Sequence, residues 1–258
     1  MLVDGFMFYN EFDVLELRLE LLDRYVDKFI LVEAEVNHKG EPKELFFQNN
    51  KERYAKWLHK IAHVVITAEE SPKDRSCWSR EKYQREGVLR GLTDVPENAI
   101  IMVSDVDEIP DMTKIPFEKL PHLTCSVHMF MFEYSLDYMF TGEPWFGTVI
   151  TTVENFKKFG PNYFRDNRWK FPAFQHCGWH LSSFGDGKHV WNKLMTYAHS
   201  LDATHVVHPV ECYDDFIKEG LRGDGQTRLL RRPPEVPLPG SVDTLRRLKL
   251  GNFADTAL

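Results

Sequence analysis

Two aspartates separated by one residue, Asp105 and Asp107, are the side chains whose spacing most clearly suggests chemistry. They follow an apolar run at residues 100–103, which is typical of a buried parallel strand. Side chains two positions apart point to one side of an extended chain, and ligands of open α/β sheets bind at the carboxyl ends of the strands. Mg²⁺ and Mn²⁺ prefer oxygen ligands and commonly retain substrate phosphates. We therefore predict that this pair holds one of these ions against a diphosphate; the alternative is a plain acidic turn.

Three further polar residues are predicted at the same edge of the sheet. Asn10 and Glu11 follow the first apolar run, and Glu33 ends the second. Because the carboxyl ends of parallel strands share one edge, these residues are predicted to contact a nucleotide. Alternatively, Glu33 only marks the point where its strand leaves the core. Asp13 is predicted to cap the first helix, with Glu16 completing a capping box.

A polar helical segment at residues 78–92 supplies further candidates. Glu81 and Arg85 are four residues apart, and a surface ion pair between them is the simple expectation. The alternative is that an arginine of this segment points at the diphosphate, whose shape suits a guanidinium fork. Arg80, Gln84 and Arg85 are therefore candidate nucleotide-binding residues, and Arg85 is the better placed arginine.

His180 has the most constrained surroundings of the histidines. It follows Gly178 and Trp179, which indicate a tight and packed turn. Imidazole is an acceptable ligand for Mn²⁺, so His180 is predicted to be a third protein ligand beside Asp105 and Asp107. The sequence has no P-loop, GxGxxG, GxSxG or HExxH motif, and nothing in it indicates the corresponding classes of site.

Alternating strand and helix signals in the first 110 residues predict βαβ units, and so an α/β fold with a mostly parallel sheet. The later part has strand signals without long helices between them and predicts a mixed half. Residues 1–230 are predicted to be one domain, and the proline-rich residues 231–258 a tail or strap. The predicted strands lie at residues 6–9, 29–32, 61–66, 99–103, 125–134 and 148–153, and the predicted helices at residues 15–26, 78–92, 188–199, 214–218 and 244–249.

The composition narrows the class of protein. The chain has 258 residues and a formal net charge of −7, which argues against broad nucleic-acid binding because that requires a basic surface. Its four cysteines are far apart and form no zinc or CxxC motif, as expected of reduced thiols in a cytosol. No apolar stretch approaches the length of a membrane-spanning helix, and we expect a cytoplasmic protein without a transmembrane segment.

Taken together, the motifs resemble glycosyltransferase family 17. The resemblance runs in order from about residue 4 to residue 200. It implies a GT-A fold, a nucleotide-sugar donor, a divalent metal ion and inversion at the sugar carbon. Asp105 and Asp107 then form the DxD site for metal and donor, and His180 matches a metal ligand. The segments that carry the resemblance are residues 10–18, 32–34, 38–43, 84–85, 104–110 and 178–180.

The resemblance implies transfer of a sugar, expected to be N-acetylglucosamine, from a UDP-sugar to a hydroxyl of a glycan or lipid-linked saccharide. A carboxylate of the mixed half then acts as general base. Asp186, on a glycine-flanked turn, is the first candidate and Asp166 the second, although Asp186 would also suit a helix cap. The aromatic residues Trp145, Phe146, Trp169 and Trp179 are candidates for stacking on sugar rings, or for the core.

Two other functions fit the same residues. A metal-dependent nucleotidyltransferase would use the same sheet-edge carboxylates and release pyrophosphate from a nucleoside triphosphate. A catalytically dead carbohydrate-binding domain would bind glycans regardless of metal and nucleotide. Since the vertebrate members of the family are anchored in a membrane and this sequence shows no anchor, we expect a microbial or viral origin.

Overall fold

Ten strands form one sheet in the part of the chain that the structure describes, residues 1–202 and 206–252 of a computed structural model. The strands are β1 (Leu2–Met7), β2 (Lys28–Ala34), β3 (Ile61–Ile66), β4 (Ile100–Asp105), β5 (Glu108–Pro110), β6 (Cys125–Glu133), β7 (Tyr138–Thr152), β8 (Ala173–Phe174), β9 (Gly178–Ser182) and β10 (Leu230–Arg231). Their order across the sheet is β3-β2-β1-β4-β7-β6-β9-β5, while β8 pairs with β6 and β10 with β7.

Helices cover both faces of this sheet. Their apolar side chains form separate clusters, because alternate residues of each buried strand point to opposite faces: Phe29 and Leu31 lie in one cluster, Ile30 and Val32 in the other. The α-helices are α1 (Phe12–Leu22), α2 (Phe46–Asn49), α3 (Cys77–Glu86), α4 (Val153–Phe159), α5 (Pro161–Asp166), α6 (Gly187–Thr196), α7 (Cys212–Glu219) and α8 (Val242–Arg247). Short 3₁₀ helices cover Lys51–Lys60, Gly87–Leu92, Phe117–His122, Arg168–Lys170 and Ala198–Leu201.

The first four strands form the predicted parallel βαβ half. β1 pairs in parallel with β2 and β4, and β2 pairs in parallel with β3. β3 matches its prediction, but β1 starts four residues earlier than predicted. The apolar pattern of the sequence does not show that β1 begins at Leu2, because Asp4 and Gly5 interrupt it. Asp4 is buried in an ion pair, and a Cβ at Gly5 would lie 2.5 Å from the side chain of Val88.

The other strands form the predicted mixed half. β7 is antiparallel to both β4 and β6, β6 is parallel to β9, and β9 is antiparallel to β5. Two antiparallel steps bring β6 and β9 into the direction of β4. The carboxyl ends of β1, β2, β4, β6 and β9 therefore share one edge of the sheet, and the overall fold is α/β with a mixed sheet.

The predicted capping box at the start of α1 is wrong. The helix begins at Phe12, so that the cap position is Glu11, two residues before Asp13, and no side chain caps the helix. Asp13 and Glu16 pair instead with the guanidinium of Arg53, at 2.5 and 2.8 Å. A charged partner from the Lys51–Lys60 helix takes these carboxylates away from the helix end.

The segment after residue 230 packs against the rest of the chain. Leu245, Leu248 and Leu250 are buried in the cluster that contains Leu17 of α1. The indole nitrogen of Trp179 donates a hydrogen bond to the backbone oxygen of Pro237 at 2.7 Å, so Trp179 is a core residue under this segment. The division at residue 230 stays a prediction, and residues 253–258 of the predicted tail lie outside the described residues.

Arg18 of α1 is completely buried and joins α1 to β1, β4 and the turn after β4. Its guanidinium donates to both carboxylate oxygens of Asp4, at 2.8 and 2.6 Å, and to the hydroxyl of Ser104 at 2.7 Å. It also donates to the backbone oxygens of Asp105 and Glu108, at 3.2 and 2.8 Å. Buried backbone oxygens need partners, so this side chain fixes the shape of the turn that carries the two aspartates.

Replacing Arg18 with methionine should lower the free energy of unfolding by about 3–5 kcal/mol, because it leaves Asp4 buried without its charge partner. Urea unfolding measures this change. Arg24→Met is the matched control: Arg24 is exposed, and a surface substitution of this kind costs about 0.5 kcal/mol or less. Equal losses in the two variants would contradict the role given to Arg18.

Candidate functional site

A cavity of about 560 Å³ opens at the shared carboxyl edge of the sheet. Asp105 and Asp107 lie in its wall, between residues that follow β1 and β2 on one side and residues that end β6 and β9 on the other. The wall therefore combines both halves of the fold. It includes Tyr9, Glu11, Asn37, His38, Gln84, Arg85, Glu133, Trp145, Arg165, Arg168, His180 and Lys193.

Asp105, the last residue of β4, is held by two arginines. Its Oδ2 lies 2.5 Å from Arg165, and its Oδ1 lies 3.7 Å from Arg85. Oδ1 is buried and accepts no hydrogen bond from the described residues. Burial raises the pKa of Asp105, but the Arg165 and Arg85 guanidiniums outweigh it and hold this pKa below its usual value. The carboxylate is thus ionised, with one oxygen left without a hydrogen-bond donor.

Asp107 is buried beside a lysine and a histidine. Its Oδ2 accepts a hydrogen bond from Lys193 of α6 at 3.0 Å, and it lies 3.7 Å from Nε2 of His180. Burial raises the pKa of Asp107, but the Lys193 ammonium and the His180 imidazole overcome this and hold the pKa far below its usual range. The His180 ring stacks on Trp145, with centroids 4.4 Å apart. The structure thus brings the three predicted metal ligands to one cavity.

Glu108, the third acid of the motif, shapes the turn from behind. It is fully buried and accepts a hydrogen bond from the backbone N–H of Asp105 at 2.9 Å. Arg165 donates to both of its oxygens at 2.8 Å, and the indole N–H of Trp145 donates at 2.9 Å. Because Arg165 also binds Asp105, one guanidinium ties these two carboxylates together.

Arg168 brings positive charge to the cavity without a carboxylate to neutralise it. Among the described residues no acid lies within ion-pair distance of it, and its buried Nε has no hydrogen-bond partner. Its guanidinium lies over the rings of Trp145 and Trp169, at 5.3 and 4.5 Å. Burial, and then repulsion from Arg165, lower the pKa of Arg168 to about 10. A side chain in this state favours an anionic ligand.

The helical candidates divide between the wall and the surface. Arg85 is buried and forms the predicted ion pair with Glu81, and its guanidinium also lies 3.7 Å from Asp105. Gln84 lies in the wall and donates to the backbone oxygen of Val32 at 3.2 Å. Arg80 is outside the wall and donates to backbone oxygens of its neighbours, including that of His38 at 3.1 Å. Arg80 thus holds a loop and does not face the cavity.

Two rim candidates also lie outside the cavity. Glu33 is fully buried, accepts from the backbone N–H of Phe47 at 2.8 Å and lies 3.2 Å from Nε2 of His63. Its predicted nucleotide contact is corrected to a role at the start of α2. The backbone N–H of Asn10 donates to the Glu11 carboxylate at 3.1 Å, and Asn10 is absent from the wall, whereas Glu11 lines it.

The two predicted bases have different surroundings. Asp186 caps α6, where its carboxylate accepts from the backbone N–H of His189 at 2.8 Å, and it does not line the cavity. This corresponds to the alternative foreseen for it, a helix cap. Asp166 does line the cavity, but its side chain is half exposed and lies 3.2 Å from Lys82. Neither carboxylate is both enclosed and free to face a ligand.

The donor set suits a hard divalent cation that also binds phosphate. Asp105 offers an unused oxygen, both aspartates are ionised, and His180 Nε2 is close to Asp107. Within residues 1–202 and 206–252 no three or more histidine, cysteine, aspartate or glutamate side chains form a complete metal site. One or two carboxylates with substrate phosphates are the usual arrangement for Mg²⁺, so these residues fit an ion completed by a diphosphate.

Several residues of the wall were missed from the sequence: Arg165, Arg168, Lys193 and Glu133. The two arginines lie in the basic segment 165–170, whose positive charge could have indicated an anion-binding wall. Glu133 ends an apolar strand, as Asp105 does. Lys193 gave no signal, because α6 reaches Asp107 only through the folding of the chain.

Comparisons with known proteins give a family and partial relatives. The model of a family described as Glycosyltransferase family 17 matches residues 1–213. Enzymes named β-1,4-mannosyl-glycoprotein 4-β-N-acetylglucosaminyltransferase from Homo sapiens and Rattus norvegicus are each 29% identical over 120 residues, and that of Mus musculus is 28% identical. The match covers 43% of this chain, which spans only about 22% of the length of these relatives. These animal relatives do not support the predicted microbial or viral origin.

Solved structures resemble the chain only loosely. A 2-C-methyl-D-erythritol 4-phosphate cytidylyltransferase of Francisella tularensis has a TM-score of 0.39 at 10% identity, covering 69% of this chain and 91% of that one. The galactosyltransferase LgtC, solved with donor and acceptor sugar analogues, has a TM-score of 0.32 at 10% identity, covering 81% and 85%. Scores of this size do not show a shared fold in detail.

Over the described ranges, every helix is too short or too polar to cross a bilayer. The predicted cytoplasmic location stays a prediction.

The depressed pKa of Asp107 predicts how stability depends on pH. A carboxylate with a lowered folded pKa stabilises the protein above its unfolded pKa of about 3.9, and this contribution is lost progressively as the pH falls below it. Asp107→Asn should therefore be clearly less stable than wild type at pH 7, and this difference should shrink below about pH 4. Urea unfolding across this pH range measures it. Asp215→Asn, at an exposed position, is the control, and a difference independent of pH would contradict the charge pairing.

Proposed function

The chain belongs to glycosyltransferase family 17, and on this basis we propose that its cavity binds a UDP-sugar and transfers the sugar, with inversion, to a hydroxyl of a glycan acceptor. The observation that carries the proposal is the position of Asp105 and Asp107. They lie at the carboxyl end of β4, in the same cavity as Arg168, which has no carboxylate partner among the described residues. Ligands of open α/β sheets bind at this edge.

The nucleotide is proposed to lie over the parallel half of the sheet. Tyr9 follows β1, and Asn37 and His38 follow β2, so the wall on this side offers an aromatic ring and polar groups for a base and ribose. Gln84 and Arg85 of α3 close this side from above the sheet. The diphosphate would then extend from this side toward Asp105.

The diphosphate is proposed to contact the cationic side chains around the two aspartates. Arg168 can bind the diphosphate without giving up an ion pair to a described residue. Lys193 and Arg165 lie next to the aspartates. Asp105 and Asp107, with His180, would hold Mn²⁺ or Mg²⁺ against the phosphates, as predicted from the sequence. Such an ion, when bound, would stabilise the negative charge of the departing nucleoside diphosphate. The guanidiniums of Arg165 and Arg168 would stabilise the same negative charge.

The identity of the donor sugar is proposed from the names of the relatives. The human and rat enzymes transfer N-acetylglucosamine to a β-1,4-mannosyl glycoprotein, according to their names. The shared 120 residues cover only part of those enzymes, so the acceptor of this chain is proposed only as a glycan, protein-bound or lipid-linked. UDP-N-acetylglucosamine is the first donor to test.

A donor screen tests the proposal. The protein is incubated with Mn²⁺, a nucleotide sugar and 4-nitrophenyl β-D-mannopyranoside, and released nucleoside diphosphate is measured. UDP-N-acetylglucosamine should give turnover. Asp107→Asn should reduce kcat/KM at least 100-fold, because the variant loses a carboxylate proposed to hold the metal ion against the diphosphate. Asp215→Asn, an exposed aspartate of α7, is the matched control and should keep wild-type turnover.

Other outcomes identify the alternatives. Pyrophosphate released from a nucleoside triphosphate and a sugar phosphate would indicate a nucleotidyltransferase. Glycan binding without turnover, unaffected by EDTA and by UDP, would indicate a carbohydrate-binding domain. Turnover that survives EDTA would contradict the proposed metal ion while leaving glycosyl transfer in place.

A further inference from the structure

Glu133 is a carboxylate of the cavity wall that lies outside the proposed diphosphate site. It is the last residue of β6, and its side chain is only 8% exposed although it lies in the cavity wall. β6 pairs in parallel with β9, so that Glu133 lies opposite Ser182 and Met131 opposite His180. Glu133 and His180 therefore lie on the same face of neighbouring strands, and His180 is opposite the residue two positions before Glu133.

One arginine holds this carboxylate in place. Nε of Arg222 donates to Oε2 of Glu133 at 2.8 Å, and in the described part of the chain this is the hydrogen bond that positions the side chain. Burial raises the pKa of Glu133, and the pairing with Arg222 does not bring it back to its usual value.

The backbone after Glu133 is strained. Tyr134 has a φ of 68°, a region that residues other than glycine rarely adopt. The backbone N–H of Ser135 donates a hydrogen bond to the backbone oxygen of Glu133 at 2.8 Å. This tight turn ends β6 so that Glu133 stays at the cavity. Strain of this kind is concentrated at functional sites.

The order of the sheet places Glu133 on the side away from the nucleotide. From β2 and β1, which end at the proposed nucleotide side, the sheet continues through β4 with Asp105 to β7, β6 and β9. An extended donor that begins at β1 and passes the two aspartates would present its sugar toward Glu133. An acceptor hydroxyl must reach that sugar from the side opposite the diphosphate.

Apart from the two aspartates, the other carboxylates of the wall lie at the proposed nucleotide side or are exposed to solvent. Glu11 accepts from the backbone N–H groups of Tyr9 and Asn10, at the nucleotide side. Glu81 is paired with Arg85 on α3. Asp166 is half exposed beside Lys82, as described above.

We infer that Glu133 is the catalytic base of the transfer, an inference that rests on the proposed glycosyltransferase function. The Glu133 carboxylate takes the proton of the acceptor hydroxyl as the acceptor oxygen forms its bond to the anomeric carbon of the donor. The bond from that carbon to the diphosphate oxygen breaks, and its electron pair leaves with the nucleoside diphosphate. Glu133 replaces Asp186 and Asp166 in this role, and Arg222 is a positioning residue for it.

Two substitutions of Glu133 test the inference with UDP-N-acetylglucosamine and 4-nitrophenyl β-D-mannopyranoside. Glu133→Gln keeps the shape of the side chain and should lower kcat about 10²–10⁴-fold, the usual contribution of a general base. The Kd of UDP should stay within about threefold of wild type, since Glu133 lies beyond the diphosphate. Glu219→Gln, an exposed glutamate at the end of α7, is the matched control and should keep wild-type kcat.

Azide gives a readout that a merely structural role would not produce. It is a nucleophile without a proton to remove, and Glu133→Ala leaves room for it beside Arg222. Azide should therefore restore UDP release in Glu133→Ala, with the glycosyl azide as product, and should not accelerate the wild-type enzyme.

The contrary outcomes separate the two levels of inference. If the wild-type enzyme turns over and the kcat of Glu133→Gln is within threefold of the wild-type value, the base assignment alone is overturned. Loss of activity together with weakened UDP binding and no azide rescue would also overturn it, in favour of a binding role. A wild-type enzyme inactive with every nucleotide sugar would overturn both the assignment and the proposed function.

Discussion

The buried guanidinium of Arg18 is the interaction on which the site depends. A charged group without solvent is tolerated only where hydrogen bonds and opposite charge surround it, and here Asp4 supplies the charge. The other hydrogen bonds of Arg18 go to the Ser104 hydroxyl and to backbone oxygens at the end of β4 and in the turn that follows. The positions of Asp105 and Asp107 are therefore set by a side chain that faces the core and never reaches the cavity.

On this fixed turn, the two aspartates are balanced by charge on every side. Arg165 and Arg85 approach Asp105, and Lys193 approaches Asp107. The pairs keep both carboxylates ionised, while Arg168 has no paired carboxylate within residues 1–202 and 206–252. The site thus combines negative groups for a cation with positive groups for an anion. That combination suits a ligand that carries both, such as a diphosphate with a divalent ion.

The sequence predicted what depends on local pattern. Continuous apolar runs identified β2, β3 and β4, and the aspartates after β4 followed from the rule that ligands bind at strand ends. The same rule also selected Glu33, but its buried side chain accepts a hydrogen bond from the backbone at the start of α2. The rule cannot separate the two cases, because an acid at a strand end can bind backbone N–H groups as well as ligands. Applied to β6 it would have selected Glu133.

Other features required the folded chain. The capping box failed because Arg53, about forty residues away in sequence, attracts Asp13 and Glu16. Lys193 reaches Asp107 across 86 residues. No local spacing encodes such contacts.

The set formed by Arg18, Asp4 and Ser104 determines which substitutions the fold accepts. These three residues come from α1, β1 and β4, and each hydrogen bond among them is buried. Loss of one member leaves a charge or a donor unpaired in the core, so a single substitution at any of these positions costs stability. The frame behind the cavity should therefore accept replacement of the whole set by apolar residues more readily than replacement of one member.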